Sequence, residues 1–265
     1  MVALRLDPLL IEEAQPETLE EALLFGALPA IRMQREDADK TADLRSYVET
    51  YLEEEVRQEA LVRNIGAFGR FLELAGLEAG RIVNHSRLSQ DVGVSSVTIQ
   101  AYYEILCDCL VAERVEPITR SASRKKLTKS SRYLIFDLGV RRLAGREGTR
   151  LHRDRMGELF EQFVGLEIIR ICRIHAPRAR LHFWRDPDGP EVDWVLDHEG
   201  SHLPIVVKLT DRPTLRDAKH LHVFQEEYGA KQGLVVCTAP RAIRLSKTVV
   251  AVPWQDMASA LRRVL

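Results

Sequence analysis

The hydrophobic pattern changes its period partway along the chain, and this constrains the fold more than any other feature. Before about residue 150, apolar residues recur three and four apart, as in Leu19, Ala22 and Leu23 or Ile65, Phe68, Phe71, Leu72 and Ala75. That spacing lines one face of a helix. The first run is stopped by Gly26-Ala27-Leu28-Pro29, the second by Gly76, and a longer helix is expected from about residue 41. From residue 154 a helical stretch at about 155–174 leads into short strand-like runs at 180–184, 192–196, 203–209, 233–237 and 248–252. A helical pattern separates the third run from the fourth, and Pro253 leads into a terminal helix. A striped helix and a pleated strand bury different surfaces, so one chain carrying both in sequence reads as α+β. Its 265 residues, 45% hydrophobic, suit two cores better than one.

Composition excludes several classes. No apolar run approaches the roughly 18 to 20 residues needed to cross a bilayer, and Arg5 and Asp7 interrupt the start where a signal peptide is apolar. No membrane partner and a cytoplasmic location are therefore expected. Cys107, Cys109, Cys172 and Cys237 are too few and too scattered for a disulfide scaffold and read as thiols rather than zinc ligands. His220 and His222 fall in an amphipathic helical stretch and show no metal-ligand spacing. The formal net charge is only −1, but the charges are segregated. Glu53, Glu54 and Glu55 form an acidic run that reads as a solvated helix face, whereas residues 113–155 are strongly basic.

Residues 84–118 have the grammar of a winged helix-turn-helix. A short helix around 87–91 meets Gly93, suited to a left-handed turn, and Ser95 can cap a second helix whose buried face is Ile99, Tyr102 or Tyr103, Leu106 and Leu110. The strand-like runs 110–112 and 132–136 flank a basic stretch and would form the wing.

Three groups of residues, in order, are similar to the domain-of-unknown-function region that follows the ATPase in many prokaryotic AAA-type predicted ATPases. They are Gly26-Ala27-Leu28-Pro29; residues 95–110 with the run from Arg132 to Gly139; and Gly157, Phe160 and Glu161, then Phe183-Trp184-Arg185, Gly189-Pro190-Glu191-Val192-Asp193 and Pro204-Ile205-Val206-Val207-Lys208. The resemblance covers nearly the whole chain. It implies a helical segment continuing from an ATPase lid at 1–58, a winged helix at 59–150 and a PD-(D/E)XK, restriction-endonuclease-like α/β domain at 151–265. No Gly-Lys pair occurs anywhere, so a phosphate-cradling P-loop is missing and no ATP hydrolysis is expected from this chain.

In such a nuclease-like domain Glu161 matches the helix acid, Asp193 the strand acid and Lys208 the lysine, while Val206 stands where a second glutamate belongs. Magnesium wants hard oxygen ligands and valine offers none, so Glu161, Glu191 and Asp193 remain as candidate metal ligands. Glu191 and Asp193, two apart, are expected on one strand face, and Val206 and Lys208 on one face of the next. An ion pair with Arg185 is the alternative role for Glu191. The site reads as impaired, with some cleavage expected to return in Val206→Glu.

No lysine or arginine lies between Leu88 and Glu113, so the second helix is poorly equipped to read a DNA groove. Arg124, Lys125, Lys126, Lys129 and Arg132 could follow the backbone of DNA or RNA without reading sequence. The leading expectation is an accessory region of an ATPase, contacting nucleic acid non-specifically, with an ATPase domain or another protein as partner. The alternatives are an active metal-dependent nuclease and an interaction module of a toxin–antitoxin or mobile-element system.

Overall fold

A computed structural model of the protein describes residues 5–52, 64–119, 121, 127–187 and 189–265. They fall into two compact units, one formed by residues up to 114 together with 132–151, the other by 115–131 together with 152–265. The acidic run at 53–55 lies outside the described residues.

The first unit is helical: α1 (Leu19–Phe25), α2 (Asp37–Ser46), α3 (Ile65–Leu77), α4 (His85–Val92), α5 (Ser96–Asp108) and, beyond the excursion into the other unit, α6 (Leu138–Ala144). The caps explain the starts. Thr18, Asn64, Asn84 and Ser95 each turn a side-chain oxygen onto a free N–H of the following first turn. Gly93 closes α4 at φ +80°, so the turn between α4 and α5 uses the backbone region open to glycine. The core is aromatic: Phe71 meets Tyr103 edge to face at 4.8 Å, and Tyr103 stacks on Tyr133 at 4.0 Å. The helix expected from residue 41 begins earlier, at Asp37, and passes at Tyr47 into a wider π turn that runs to Leu52.

Two of the sequence runs meet at Asp137, which is fully buried. Its carboxylate accepts hydrogen bonds from the N–H groups of Ala27 at 2.7 Å, Gly139 at 2.8 Å and Val140 at 3.1 Å. It therefore caps α6 and pins the loop that ends α1. Both glycines are needed for the approach. A Cβ on Gly26, at φ +68°, would lie 2.1 Å from Asp137 Oδ1, and one on Gly139 would lie 2.5 Å from the Phe25 carbonyl. Beside this lock, Lys40 and Arg142 both lie over the Phe25 ring, at 4.9 and 5.4 Å from its centroid. The Gly-x-Leu-Pro run is thus held by packing that the sequence run from 132 to 139 supplies.

Strand β1 (Ala112–Pro117) passes from the first unit into the second, and β2 (Arg132–Ile135) returns to the first. The second unit opens with α7 (Arg153–His175) and then carries β3 (Arg180–Arg185), β4 (Glu191–His198), β5 (Ser201–Lys208), α8 (Lys219–Tyr228), β6 (Gly233–Cys237), β7 (Ile243–Arg244), β8 (Val249–Pro253) and α9 (Met257–Arg262). The spatial order is β3-β4-β5-β6-β8-β7. β3, β4 and β5 are antiparallel neighbours, β5, β6 and β8 run parallel, and β7 is an antiparallel edge. Parallel β5 and β6 require a crossover, and α8 supplies it.

The pleat sets which helix covers which face. Trp194 and its cross-strand partner Ile205 lie on the α7 side: the Trp194 Nε1–H donates to the Glu161 carbonyl at 3.0 Å, and a Cβ on Gly165 would lie 2.6 Å from the indole. The adjacent Val206 points the other way. With its in-register neighbours Val235 and Ala251 it joins Leu221 and Phe224 of α8 in one apolar cluster. The glycine at 165 is therefore a packing requirement, letting the Trp194 indole approach the helix closely enough to donate to the Glu161 carbonyl.

Candidate functional site

The residues that the sequence assigns to a nuclease-like site come from α7, β4 and β5. On β3 and β4, His182 pairs with Val195 and Trp184 with Val192, so Phe183 alone faces both Asp193 and Trp194. This is a bulge, and it breaks the simple alternation along β4, leaving Val192 and Val195, three apart, in the same cluster. Asp193 sits at the bulge, 8% exposed, and its Oδ2 accepts the Val207 N–H at 2.8 Å. Lys208 follows at the exposed end of β5, with the parity of Val206 and hence of the face that α8 covers.

The remaining candidates have other engagements. Glu191 is the Cα partner of Arg185 across β3 and β4 and ion-pairs with it at 3.4 Å, both side chains nearly half exposed. His220, at the start of α8, places Nδ1 3.1 Å from the Glu191 carbonyl oxygen. Glu161 is on α7, which covers the face opposite to Val206. Val206 itself is 3% exposed and begins an apolar row that continues through Val235 to Ala251.

Asp193 and Lys208 are therefore brought to the same pair of strands, but Glu161, Glu191 and Asp193 are not assembled as a trio of ligands. Among the described residues no group of three or more His, Cys, Asp or Glu is placed to hold a metal ion. The donor set does not fit magnesium, which demands near-octahedral oxygen coordination. One position is an aliphatic side chain in an apolar row, one carboxylate is paired with arginine, and one oxygen of another is taken by a backbone N–H. Burial pushes the Cys107 and Cys172 thiols up to about 11, which disfavours these two as metal ligands or nucleophiles.

The basic stretch behaves differently from its reading as a wing carried by the helical part. Arg124, Lys125 and Lys126 lie outside the described residues. The flanks are fastened to β3: the Ile118 N–H donates to the Phe183 carbonyl at 2.8 Å and the Thr128 N–H to the Arg185 carbonyl at 3.2 Å. Leu127 is buried in the same cluster as Trp184 and Leu221. The described flanks thus belong to the second unit. Lys129 is exposed, but Arg132, at the start of β2, is only 5% exposed and is not part of a solvent-facing track. On α5 the exposed positions Ser96, Gln100, Glu104 and Asp108 carry no cation, and Gln100 donates to Glu104 at 3.1 Å.

One basic segment escaped the sequence reading. The connection from Lys208 to Lys219 carries Lys208, Arg212, Arg216 and Lys219, all exposed. The cations are spread over twelve residues that otherwise look like an ordinary strand-to-helix loop, so no run drew attention to them.

Among the described residues no helix is long and apolar enough to cross a membrane. Comparison with known proteins finds two families in tandem. Residues 16–150 match the family described as Domain of unknown function (DUF8612), and residues 156–257 match Domain of unknown function (DUF4143). The chain is also similar to uncharacterized proteins of Mycobacterium bovis and Mycobacterium tuberculosis, each 23% identical over 249 residues. These alignments cover 94% of the chain but only 55% of each relative, so the chain spans about half the length of the curated proteins it matches. The family boundary near residue 150 falls where the helical unit gives way to the mixed sheet. With just over half of its length matched by one family model, the chain belongs to the DUF8612 family, and its residues 156–257 are similar to DUF4143.

Proposed function

We propose that this chain is the accessory region of a larger predicted ATPase, and that its second unit is a nuclease-like module that contacts nucleic acid without cutting it. The observation that carries this reading is the apolar row Val206, Val235 and Ala251 where a metal-binding carboxylate belongs. The order of helix, antiparallel strands and parallel crossover agrees with the α/β architecture that the resemblance implies. The α4–Gly93–α5 arrangement agrees with a helix-turn-helix, and its cation-free exposed face favours packing or protein contact over groove reading. Fold and function are separable, so the activity is argued from the site and not from the architecture.

The test is binding in the absence of metal. The full chain in EDTA is expected to retain single-stranded DNA at low salt, with affinity falling steeply as salt rises. Failure to retain either DNA or RNA under those conditions would remove the nucleic-acid reading and leave a protein-contact module.

A further inference from the structure

The connection between β5 and α8 is held rigid from within. The Thr238 N–H donates to the Thr210 carbonyl at 3.0 Å, the Arg212 N–H to Thr210 Oγ1 at 3.2 Å, and Pro213 is buried. Asp217 Oδ2 accepts both the Thr214 N–H at 2.7 Å and its hydroxyl at 2.9 Å, which fixes the start of the 3-10 turn Leu215–Ala218. One of the two local carboxylates is thus consumed in capping.

What this scaffold displays is unsatisfied charge. Lys208, Arg212, Arg216 and Lys219 face solvent against only Asp211 and Asp217, and none of the four has a carboxylate partner among the described residues. Arg178 and Arg185 of the same unit do have such partners, in Glu199 and Glu191. Arg216 and Lys219, three apart across the 3-10 turn, project to one side about 6 Å apart along its axis. Lys208 has the parity of the sheet face on which α8 packs, so the strip runs continuously from the strand end to the helix start.

Charge is half of the observation. Leu209 and Leu215, interleaved with the cations, are 40% and 57% exposed. An acidic peptide needs only the cations, and a duplex hides its bases. Unpaired nucleic acid presents a phosphate chain and open base and sugar faces together.

We infer that the Lys208–Lys219 connection is a contact strip for single-stranded nucleic acid. Arg212, Arg216 and Lys219 meet phosphates, and Leu209 and Leu215 meet base or sugar faces. The inference rests on the nucleic-acid reading above and names the surface that serves it.

The test is fluorescence anisotropy of a labelled oligothymidylate of about 20 nucleotides, its ribo-equivalent, a blunt duplex and polyglutamate, titrated with the full chain at low salt. The variant Arg212→Glu/Arg216→Glu/Lys219→Glu is expected to lose at least about tenfold in single-strand affinity, and the slope of log K against log salt to fall by roughly 2 to 3. All three positions are exposed, so its thermal unfolding should match wild type; the corresponding alanine variant is expected to move the same way. Leu215→Ser is expected to weaken single-strand binding several-fold and to leave duplex binding unchanged. Reversing Arg124, Lys125, Lys126 and Lys129 should weaken single-strand binding less than the triple variant does.

Wild-type affinity in the triple variant, with loss in the basic-stretch variant, would overturn the strip while keeping the nucleic-acid reading. Equal or tighter binding of duplex, or strip-dependent binding of polyglutamate in place of oligonucleotide, would overturn the single-strand assignment. Binding of no probe by wild type would overturn the strip and the reading together.

Discussion

Asp137→Ala is expected to destabilise the first unit by about 3 to 5 kcal/mol, because three N–H donors lose their acceptor in a fully buried site and each unsatisfied group costs about 1 to 3 kcal/mol. The loss combines two effects, an uncapped α6 and an unpinned loop after α1. Urea unfolding followed by circular dichroism measures it. Asp137→Asn should lose less, since it keeps one acceptor oxygen. Gly26→Ala should move in the same direction, since its Cβ has no room beside the carboxylate and the backbone lies at positive φ. A loss below about 1 kcal/mol in Asp137→Ala would mean that the lock is incidental.

The second large effect is Val206→Glu. The sequence alone suggests that a glutamate here restores a metal ligand, but the structure puts the side chain beside Val235, with Ala251 next along the row, in one apolar cluster with Leu221 and Phe224. A carboxyl introduced there leaves water without a partner, and the expected cost is at least about 3 kcal/mol. Burial would hold that carboxyl's pKa above the ordinary glutamate range. Its neutral form is tolerated below the unfolded value, and the destabilisation deepens as pH rises above it. Thermal unfolding across the acid to neutral range gives both magnitude and sign. A stable variant that gains cleavage would show that the row opens to receive a metal.

Gly93 and Ser95 were legible because a left-handed turn and a helix cap each depend on a residue and its immediate neighbours. The main strands of the second unit were legible within a residue or two, since β-branched runs bounded by turns carry their own signal. β1 was misplaced. It runs Ala112–Pro117 rather than 110–112, because Ala-Glu-Arg-Val-Glu-Pro looks too polar for a strand and takes its register from β3, some 65 residues later. β7, two residues long, gave no signal at all.

The site was only partly legible for the same reason. Residue identities could nominate Glu161, Glu191, Asp193 and Lys208, and the ion pair of Glu191 with Arg185 was a reading that the residues allowed. The bulge at Asp193 could not be read, because a bulge is a mismatch between two strands and neither strand announces it alone. Nor could the engagement of the Asp193 carboxylate with the Val207 N–H, or the burial of Arg132. Each depends on a partner distant in sequence.

The central claim, a nuclease-like unit that does not cut, is tested most directly by incubating the full chain with single-stranded and plasmid DNA in magnesium and in manganese, the less exacting ion. Asp193→Ala and Lys208→Ala serve as controls. The account predicts that the DNA stays intact in both metals, with wild type indistinguishable from the two variants. Robust cleavage by wild type, abolished in both Asp193→Ala and Lys208→Ala, would contradict it and would show that Glu191 leaves Arg185 to complete a working metal site.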